Sequence, residues 1–179
     1  MRINFFGGPG SGKSTTTARI FSDLKSAGRS VEHVGEYVKS WAYQKRDIKK
    51  FDQVYLFGKQ QQYEYRYLSS GVENIVTDSP CFLSVVYSLK YNQDRRMADA
   101  LAALCKIYDE EHPSVNIFLL RGDKPYVAEG RYQSYEEAKE LDQFMFKTLQ
   151  EYYPFNLIPV DYTNQAEILD IAMTATAFK

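Results

Sequence analysis

The segment Gly7–Ser14, Gly-Gly-Pro-Gly-Ser-Gly-Lys-Ser, constrains this chain more than any other part of its sequence. It matches the pattern G-x-x-x-x-G-K-[ST] and lies between the apolar run Ile3–Phe6 and a helical stretch that reaches about Ala27. In this pattern, successive backbone N–H groups and a helix N-terminus converge on phosphate oxygens. A chance match in one chain has a probability well below about 1 in 100. The sequence therefore predicts a nucleoside triphosphate site.

The residues of this loop divide into phosphate-binding and metal-binding candidates. Lys13 is expected to reach the β and γ phosphates, and the Ser14 hydroxyl is expected to take a Mg²⁺ position. The predicted nucleotide-binding residues are Gly8, Pro9, Gly10, Ser11, Gly12, Lys13, Ser14 and Thr15. ATP and Mg²⁺ are the expected cofactors.

Five short apolar runs alternate with longer helical stretches along the chain. The predicted strands are Ile3–Phe6, Val31–Val34, Ile75–Thr77, Ile117–Leu120 and Leu157–Val160. The predicted helices follow the glycine loop to about Ala27, span 51–69, start near Pro80, span 93–110 and 134–152, and start again near Thr163. This alternation predicts an α/β three-layer sandwich around a five-stranded parallel sheet, which binds ligands at the carboxyl ends of its strands. We expect a single domain over residues 1–179.

Two acids follow predicted strands at that end of the sheet. Asp78, after the third strand, is a candidate to hold Mg²⁺, and capping of the next helix is the alternative. Ser79 and Pro80 follow it, instead of the second acid with which ATPases polarise water, which favours phosphoryl transfer to a bound acceptor over hydrolysis. Glu36, after the second strand, is predicted to accept the proton of an attacking hydroxyl. An acid that simply favours a helix N-terminus is the alternative.

Residues 121–133 lack a clear period and combine glycines and a proline with several bases. This composition is typical of a lid, which we place at about 121–133. Arg131 and Arg121 are the candidates to stabilise the charge of the transferred phosphoryl group when the lid closes. Lys124 could assist them, and a surface salt bridge is the alternative for each of these bases.

The net charge of −1, from 22 bases and 23 acids, argues against a protein that coats nucleic acid by bulk attraction. Residues 39–67 nevertheless carry a local charge of +4. The bases are Lys39, Lys45, Arg46, Lys49, Lys50, Lys59 and Arg66, and the aromatic residues among them are Trp41, Tyr43, Phe51, Tyr55, Phe57, Tyr63, Tyr65 and Tyr67. We interpret about 37–70 as the acceptor-binding part of the cleft, where Trp41 could stack on a base and Gln60 or Gln62 could hydrogen-bond its edge. Half-buried tyrosines covered by solvated lysines are the alternative.

Two cysteines, Cys81 and Cys105, and two histidines offer no zinc set and no disulfide framework. A reducing cytoplasm is therefore the expected location. The apolar run before Gly7 is too short for a signal peptide or a membrane span, so no membrane association is expected.

The phosphate loop, Glu36, the glutamine-rich helix 51–69, Asp78 and the run Lys124–Arg131 together resemble the small P-loop kinases grouped with the ribosylnicotinamide kinase domain of bacterial NAD-salvage proteins. The chain is also similar to the AAA-type nucleotide kinases of tailed bacteriophages, which implies the host cytoplasm for a phage protein. The resemblance implies a P-loop kinase-like fold and a kinase of the nucleoside or nucleotide type, with Glu36 or Asp78 as the base. The Asp-Ser-Pro sequence after the third strand and the basic, tyrosine-rich acceptor segment depart from these relatives.

The sequence thus predicts an ATP- and Mg²⁺-dependent phosphotransferase acting on a small-molecule nucleoside or (deoxy)nucleoside monophosphate. The predicted catalytic residues are Lys13, Glu36, Asp78 and Arg131, and the predicted substrate contacts are Glu36, Trp41, Gln60, Arg121 and Tyr126. One alternative is a kinase of a hydroxymethylated base in DNA, which would use the basic aromatic segment as a nucleic-acid surface. Another alternative is a non-catalytic ATP-binding switch. The oligomeric state, monomer or dimer, stays open.

Overall fold

Five parallel strands form the central sheet, in the order β2-β3-β1-β4-β5. The computed structural model describes residues 1–47, 52–122, 125–127, 129–153 and 156–177. The strands are β1 (Arg2–Phe6), β2 (Val31–Val34), β3 (Asn74–Thr77), β4 (Ser114–Leu120) and β5 (Leu157–Asp161). In the described ranges the helices are α1 (Lys13–Ser26), α2 (Lys39–Tyr43), α3 (Gln53–Leu68), α4 (Leu83–Tyr87), α5 (Arg95–Glu111), α6 (Tyr135–Tyr152) and α7 (Gln165–Ala175), and a π-helical turn (Ser88–Asn92) follows α4. The predicted α/β fold with a five-stranded parallel sheet is confirmed.

The central strands consist of residues that are buried because helices cover both faces of the sheet. Every residue of β1 is buried, and Ile3 pairs with Val76 of β3 and Val115 of β4. All five predicted strands are present. β4 begins at Ser114 instead of Ile117. Its first residues include polar side chains that hydrogen-bond inside the sheet, so the search for apolar runs did not include them in the predicted strand.

Helices cover both faces of the sheet. On one face, α1 and α7 contribute Ile20 and Ile168 to the core. On the other face, α3, α5 and α6 contribute Phe57, Leu101 and Met145. The order of the strands places the carboxyl ends of β2, β3 and β1 side by side, and the candidate site lies there. None of the described helices has the length and apolar character needed to cross a membrane.

Helix boundaries follow the prediction at α6 and depart from it near the cleft. The capping box between Ser134 and Glu137 opens α6 as predicted. The helix expected near Pro80 begins at Leu83, and the π-helical turn and Gln93, with φ 53°, separate it from α5. The short α2 had no predicted counterpart. The interpretations of Lys49, Lys50, Phe51 and Lys124 concern residues outside the described part of the chain.

A buried ion-pair network lies at the end of β1 opposite the glycine loop. Arg2 is 2% exposed, and its guanidinium pairs with Glu64 at 3.4 Å and with Asp109. It also lies 4.2 Å from the centroid of the Tyr108 ring and donates to the His112 carbonyl at 2.8 Å. These contacts join the first strand to α3 and α5, so Arg2 is a core residue.

Candidate active site

The glycine loop joins the carboxyl end of β1 to the first turn of α1. Gly12 is the N-cap of α1 and has φ 101°, a backbone conformation that glycine adopts without strain. Of the predicted nucleotide-binding residues, those that line the cavity are Pro9, Gly10, Gly12, Lys13, Ser14 and Thr15, whereas Gly8 and Ser11 are buried beneath it. Lys13 folds back onto the loop, since its Nζ donates to the Gly7 carbonyl at 2.5 Å and to the Gly8 carbonyl at 3.0 Å.

Ser14 and Asp78, the two predicted metal-binding residues, are in direct contact. The Ser14 hydroxyl donates to Asp78 Oδ2 at 2.6 Å. Asp78 Oδ1 is buried and has no hydrogen-bond partner in the described part of the chain. A hydroxyl and a carboxylate oxygen without a partner are hard oxygen ligands of the kind that Mg²⁺ takes, so this pair fits a magnesium position.

Glu36 lies across the cavity from the glycine loop. Glu36 lines the cavity and is exposed to it. Partial loss of hydration raises the pKa of its carboxyl group, although Lys13 and Lys39 act in the opposite direction. Burial lowers the pKa of Lys13, which the Asp78 and Glu36 carboxylates oppose. The site therefore combines a lysine whose pKa is lowered with a glutamate whose pKa is raised.

The cavity has a volume of about 190 Å³, and an apolar wall forms part of it. Its remaining lining includes Lys39 and the residues Gly130, Arg131, Tyr132 and Gln133. The wall residues are Val38, Ala42, Leu56, Leu83 and Tyr87. Gln53, in the first turn of α3, also lines the cavity; it is 4% exposed, and its Oε1 has no partner among the described residues. The sequence reading missed Gln53, because its only signal was membership of a glutamine-rich helix.

Gln60 and Trp41 do not line this cavity within the described residues. Gln60 is buried and holds the backbone on both sides of Glu36: its Oε1 accepts from Tyr37 N at 3.4 Å and its Nε2 donates to the Gly35 carbonyl at 3.5 Å. The Trp41 ring lies 5.8 Å from that of Tyr37, outside the cavity. Both residues contact the segment that carries Glu36, and their contacts with substrate stay predictions.

Arg131 reaches the cavity, whereas Tyr126 covers the glycine loop. The Arg131 guanidinium lies 4.8 Å from the centroid of the Tyr126 ring and hydrogen-bonds the Val127 carbonyl. A Cβ on Gly10 would lie 2.9 Å from two carbons of the Tyr126 ring. The Tyr126 hydroxyl donates to the Gln133 carbonyl at 2.7 Å, which keeps the ring over the loop. Tyr126 therefore lies beside the glycine loop, and its contact with substrate stays a prediction.

Arg121 is held away from the cavity by two other residues. Its Nε donates to Asp142 Oδ2 at 2.7 Å, and its Nη2 donates to the Pro9 carbonyl at 2.8 Å. The structure thus places Arg121 behind the glycine loop, and its contact with substrate stays a prediction. Asp142 was not among the predicted site residues, since no local pattern distinguishes it from the other acids of α6.

A family model described as an AAA domain, AAA_28, matches residues 2–166. The chain belongs to this AAA domain family. No curated protein sequence matches it significantly.

Several solved structures share the fold of this AAA domain. NadR protein in complex with NR has a TM-score of 0.68 and 13% identity, and the match covers 99% of this chain and 52% of that one. NadR with NAD and AMP-PNP has a TM-score of 0.64 and 13% identity, with 99% and 50% covered. Deoxyadenosine kinase from M. mycoides with dATP has a TM-score of 0.57 and 20% identity, with 97% and 99% covered. The chain thus spans about half the length of the NadR chains, and the likeness confirms the predicted P-loop kinase-like fold.

Proposed function

We propose that this protein is an ATP- and Mg²⁺-dependent kinase that acts on a nucleoside or a (deoxy)nucleoside monophosphate. The phosphoryl group would go to a hydroxyl of a nucleoside or to a phosphate oxygen of a monophosphate. The observation that carries the proposal is the convergence of Lys13, Ser14, Asp78 and Glu36 on one cavity. The similarly folded NadR binds NR and AMP-PNP, and the similarly folded deoxyadenosine kinase binds dATP, which supports a nucleotide donor and a nucleoside-type acceptor.

The donor would bind along the glycine loop. Lys13 would exchange its two carbonyl partners for the β and γ phosphates, which would also offset the burial of its charge. Ser14 and Asp78 would hold Mg²⁺, which neutralises phosphate charge when bound. The unpartnered Asp78 Oδ1 supports this assignment, since a buried carboxylate oxygen without a partner is costly.

Where the acceptor is a nucleoside, Glu36 would accept the proton of the attacking hydroxyl. Asp78 is engaged by Ser14, so Glu36 is the carboxylate that stays available on the acceptor side. Its raised pKa brings it closer to neutral pH, where a general base combines the correct protonation state with a sufficient affinity for the proton.

The acceptor would bind against the apolar wall, with Gln53 facing a polar edge of its base. Pockets for drug-sized ligands occupy roughly 300–1,000 Å³, which exceeds the 190 Å³ found here. We therefore assign residues 121–133 to a lid that opens to admit both substrates, and 37–70 to the acceptor-binding segment. Closure would bring Arg131 to the transferred phosphoryl group, where it would stabilise developing charge and exclude water.

A screen of phosphate acceptors with γ-labelled ATP tests this function. Nucleosides, mononucleotides, nicotinamide riboside and oligonucleotides with hydroxymethylated bases form the panel, and Lys13→Ala is the negative control. We expect transfer to at least one nucleoside or mononucleotide and none with the variant. ATP binding without transfer to any acceptor would instead identify a non-catalytic switch.

An aromatic and basic surface beside the cleft favours a second candidate, a kinase of a hydroxymethylated base in DNA. The Tyr37 ring lies 5.5 Å from that of Tyr63 and 5.8 Å from that of Trp41, and the guanidiniums of Arg66 and Arg46 cover Tyr63 and Trp41 at 4.8 and 4.3 Å. Aromatic rings flanked by bases bind single strands by stacking and by charge. Fluorescence anisotropy with a labelled oligonucleotide should then show affinity that falls steeply with salt and is weakened by Arg66→Ala but not by Lys106→Ala.

A further inference from the structure

Asp142, on α6, contacts the glycine loop from the side opposite the cavity. Its Oδ1 accepts a hydrogen bond from Gly8 N at 2.5 Å, and its Oδ2 accepts from Arg121 Nε at 2.7 Å. The same guanidinium donates to the Pro9 carbonyl at 2.8 Å. The Arg121 and Asp142 side chains are only 10% and 14% exposed, so water competes little for these contacts. Asp142 is thus linked to two consecutive residues of the loop.

The peptide unit between Gly7 and Gly8 is held from both sides. Its N–H donates to Asp142, and its carbonyl oxygen accepts from Lys13 Nζ at 2.5 Å. Because neither flanking residue has a Cβ, side-chain sterics do not fix the orientation of this peptide. The hydrogen bond to Asp142 fixes it, and with it the carbonyl that holds Lys13.

Close packing of α6 reinforces this arrangement. A Cβ on Gly8 would lie 2.5 Å from Asp142 Oδ1 and 2.9 Å from the Ala138 carbonyl oxygen. Ala138 and Asp142 are one helical turn apart and so present one face of α6 to the loop. The absence of a side chain at Gly8 is what allows the carboxylate to reach the backbone N–H.

We propose that Asp142 is a positioning residue for the donor nucleotide. It fixes the Gly7–Gly8 peptide directly and the Pro9 carbonyl through Arg121, so the loop and Lys13 are arranged for a triphosphate before one binds. Preorganisation of this kind raises affinity, because a loop that is already ordered loses less conformational entropy when its ligand binds. Arg121 neutralises the Asp142 carboxylate, which limits its repulsion of phosphates. The inference rests on the proposed function only for the identity of the donor, ATP.

Calorimetric titration of the full chain with ATP and Mg²⁺, without an acceptor, tests this role. We expect Asp142→Ala to raise the Kd for ATP about tenfold, as the loss of a hydrogen bond to a charged group predicts. Asp142→Asn keeps one oxygen that can accept from Gly8 N, but its amide N–H₂ takes the place of the oxygen that accepts from Arg121. We therefore expect the Kd for ATP to rise about threefold in this variant. Glu140→Ala, which removes an exposed acid from the same helix, should leave the Kd unchanged.

Three further readouts separate positioning from a general loss of structure. The thermal midpoint and the KM for the acceptor should stay near their wild-type values in Asp142→Asn. The Gly8 amide proton should move upfield in an NMR spectrum of Asp142→Ala, because its short hydrogen bond is lost. Equal Kd values for wild type and both Asp142 variants would overturn the inference alone. A wild-type protein that does not bind ATP would overturn the donor assignment and the inference with it.

Discussion

Glu36 and Asp78 line one cavity, but their surroundings give them different chemistry. Asp78 accepts the Ser14 hydroxyl at 2.6 Å, whereas lost hydration raises the pKa of Glu36. Two carboxyl groups in such different environments can take different roles, so that one binds a metal ion while the other accepts a proton. Their order in the sequence, each after a strand, predicted the location of both residues and left open which of them is the base.

Conservative substitutions of these two acids should have different effects. Glu36→Gln removes the proton acceptor, so we expect kcat to fall by about 10²–10⁴ with little change in ATP affinity. Asp78→Asn weakens the metal position, so it should raise the Mg²⁺ concentration needed for half-maximal rate. Magnesium titrations of steady-state kinetics distinguish the two effects. A Glu36→Gln enzyme with wild-type kcat would contradict its assignment as the base.

The pKa of Glu36 predicts the acid limb of the pH–rate profile. Protonated Glu36 cannot accept a proton, so activity should be lost as pH falls through a pKa that lies above that of an ordinary glutamate. Lys39 favours the ionised form of Glu36, so Lys39→Gln should move the acid limb to higher pH. Lys106→Gln, which removes an exposed lysine on α5, is the matched control and should not move it. A shift to lower pH in Lys39→Gln would contradict the sign of this interaction.

At the scale of elements, α3 shows what a periodic pattern can and cannot predict. The helix and its glutamines were evident from the sequence, but the pattern favoured Gln60, whereas the structure turns Gln53 into the cavity. Both are buried, and they are about two turns apart on one face of α3. Which of them meets the cavity depends on how α2 and the segment around Glu36 cross the helix, and those contacts are distant in sequence.

Two matched variants separate the roles of these glutamines. Gln53→Leu removes an amide that faces the cavity, so we expect the KM of the acceptor to rise up to about tenfold with kcat nearly unchanged. Gln60→Leu removes the contacts with Tyr37 and Gly35 that hold Glu36, so it should mainly lower kcat. Steady-state kinetics with the acceptor varied at saturating ATP give both constants. The opposite split would mean that Gln60 is the residue that contacts the acceptor.

At the scale of the whole molecule, stability and chemistry occupy opposite ends of the sheet. The glycine loop follows the carboxyl end of β1, whereas Arg2 and its acidic partners form a buried network at the amino end. A buried charge that loses its partner is far more costly than an exposed one. We therefore expect that stability can be changed at this end without altering the candidate site.

Arg2→Met tests this separation. It leaves Glu64 buried without its cation, so we expect the free energy of unfolding to fall by about 3–5 kcal/mol. The Kd for ATP of the fraction that remains folded should not change. Arg95→Met is the matched control: its ion pairs with Asp99 and Glu151 are more than half exposed, so stability should change little. Urea unfolding curves give the free energy of unfolding of both variants. Equal losses of this free energy in Arg2→Met and Arg95→Met would show that the Arg2 network does not dominate stability.

The sheet, its strands, the phosphate loop and the ends of β2 and β3 where Glu36 and Asp78 lie could all be predicted from the amino-acid sequence. These features follow from local patterns, because apolar runs, glycine spacing and caps act within a few residues. Long-range packing places Gln53 at the cavity, Tyr126 over the loop, and Asp142 and Arg121 behind the loop, and no local pattern predicts these positions. Gly8 and Asp142 are far apart in the chain, and their hydrogen bond exists only because the sheet brings α6 against the glycine loop.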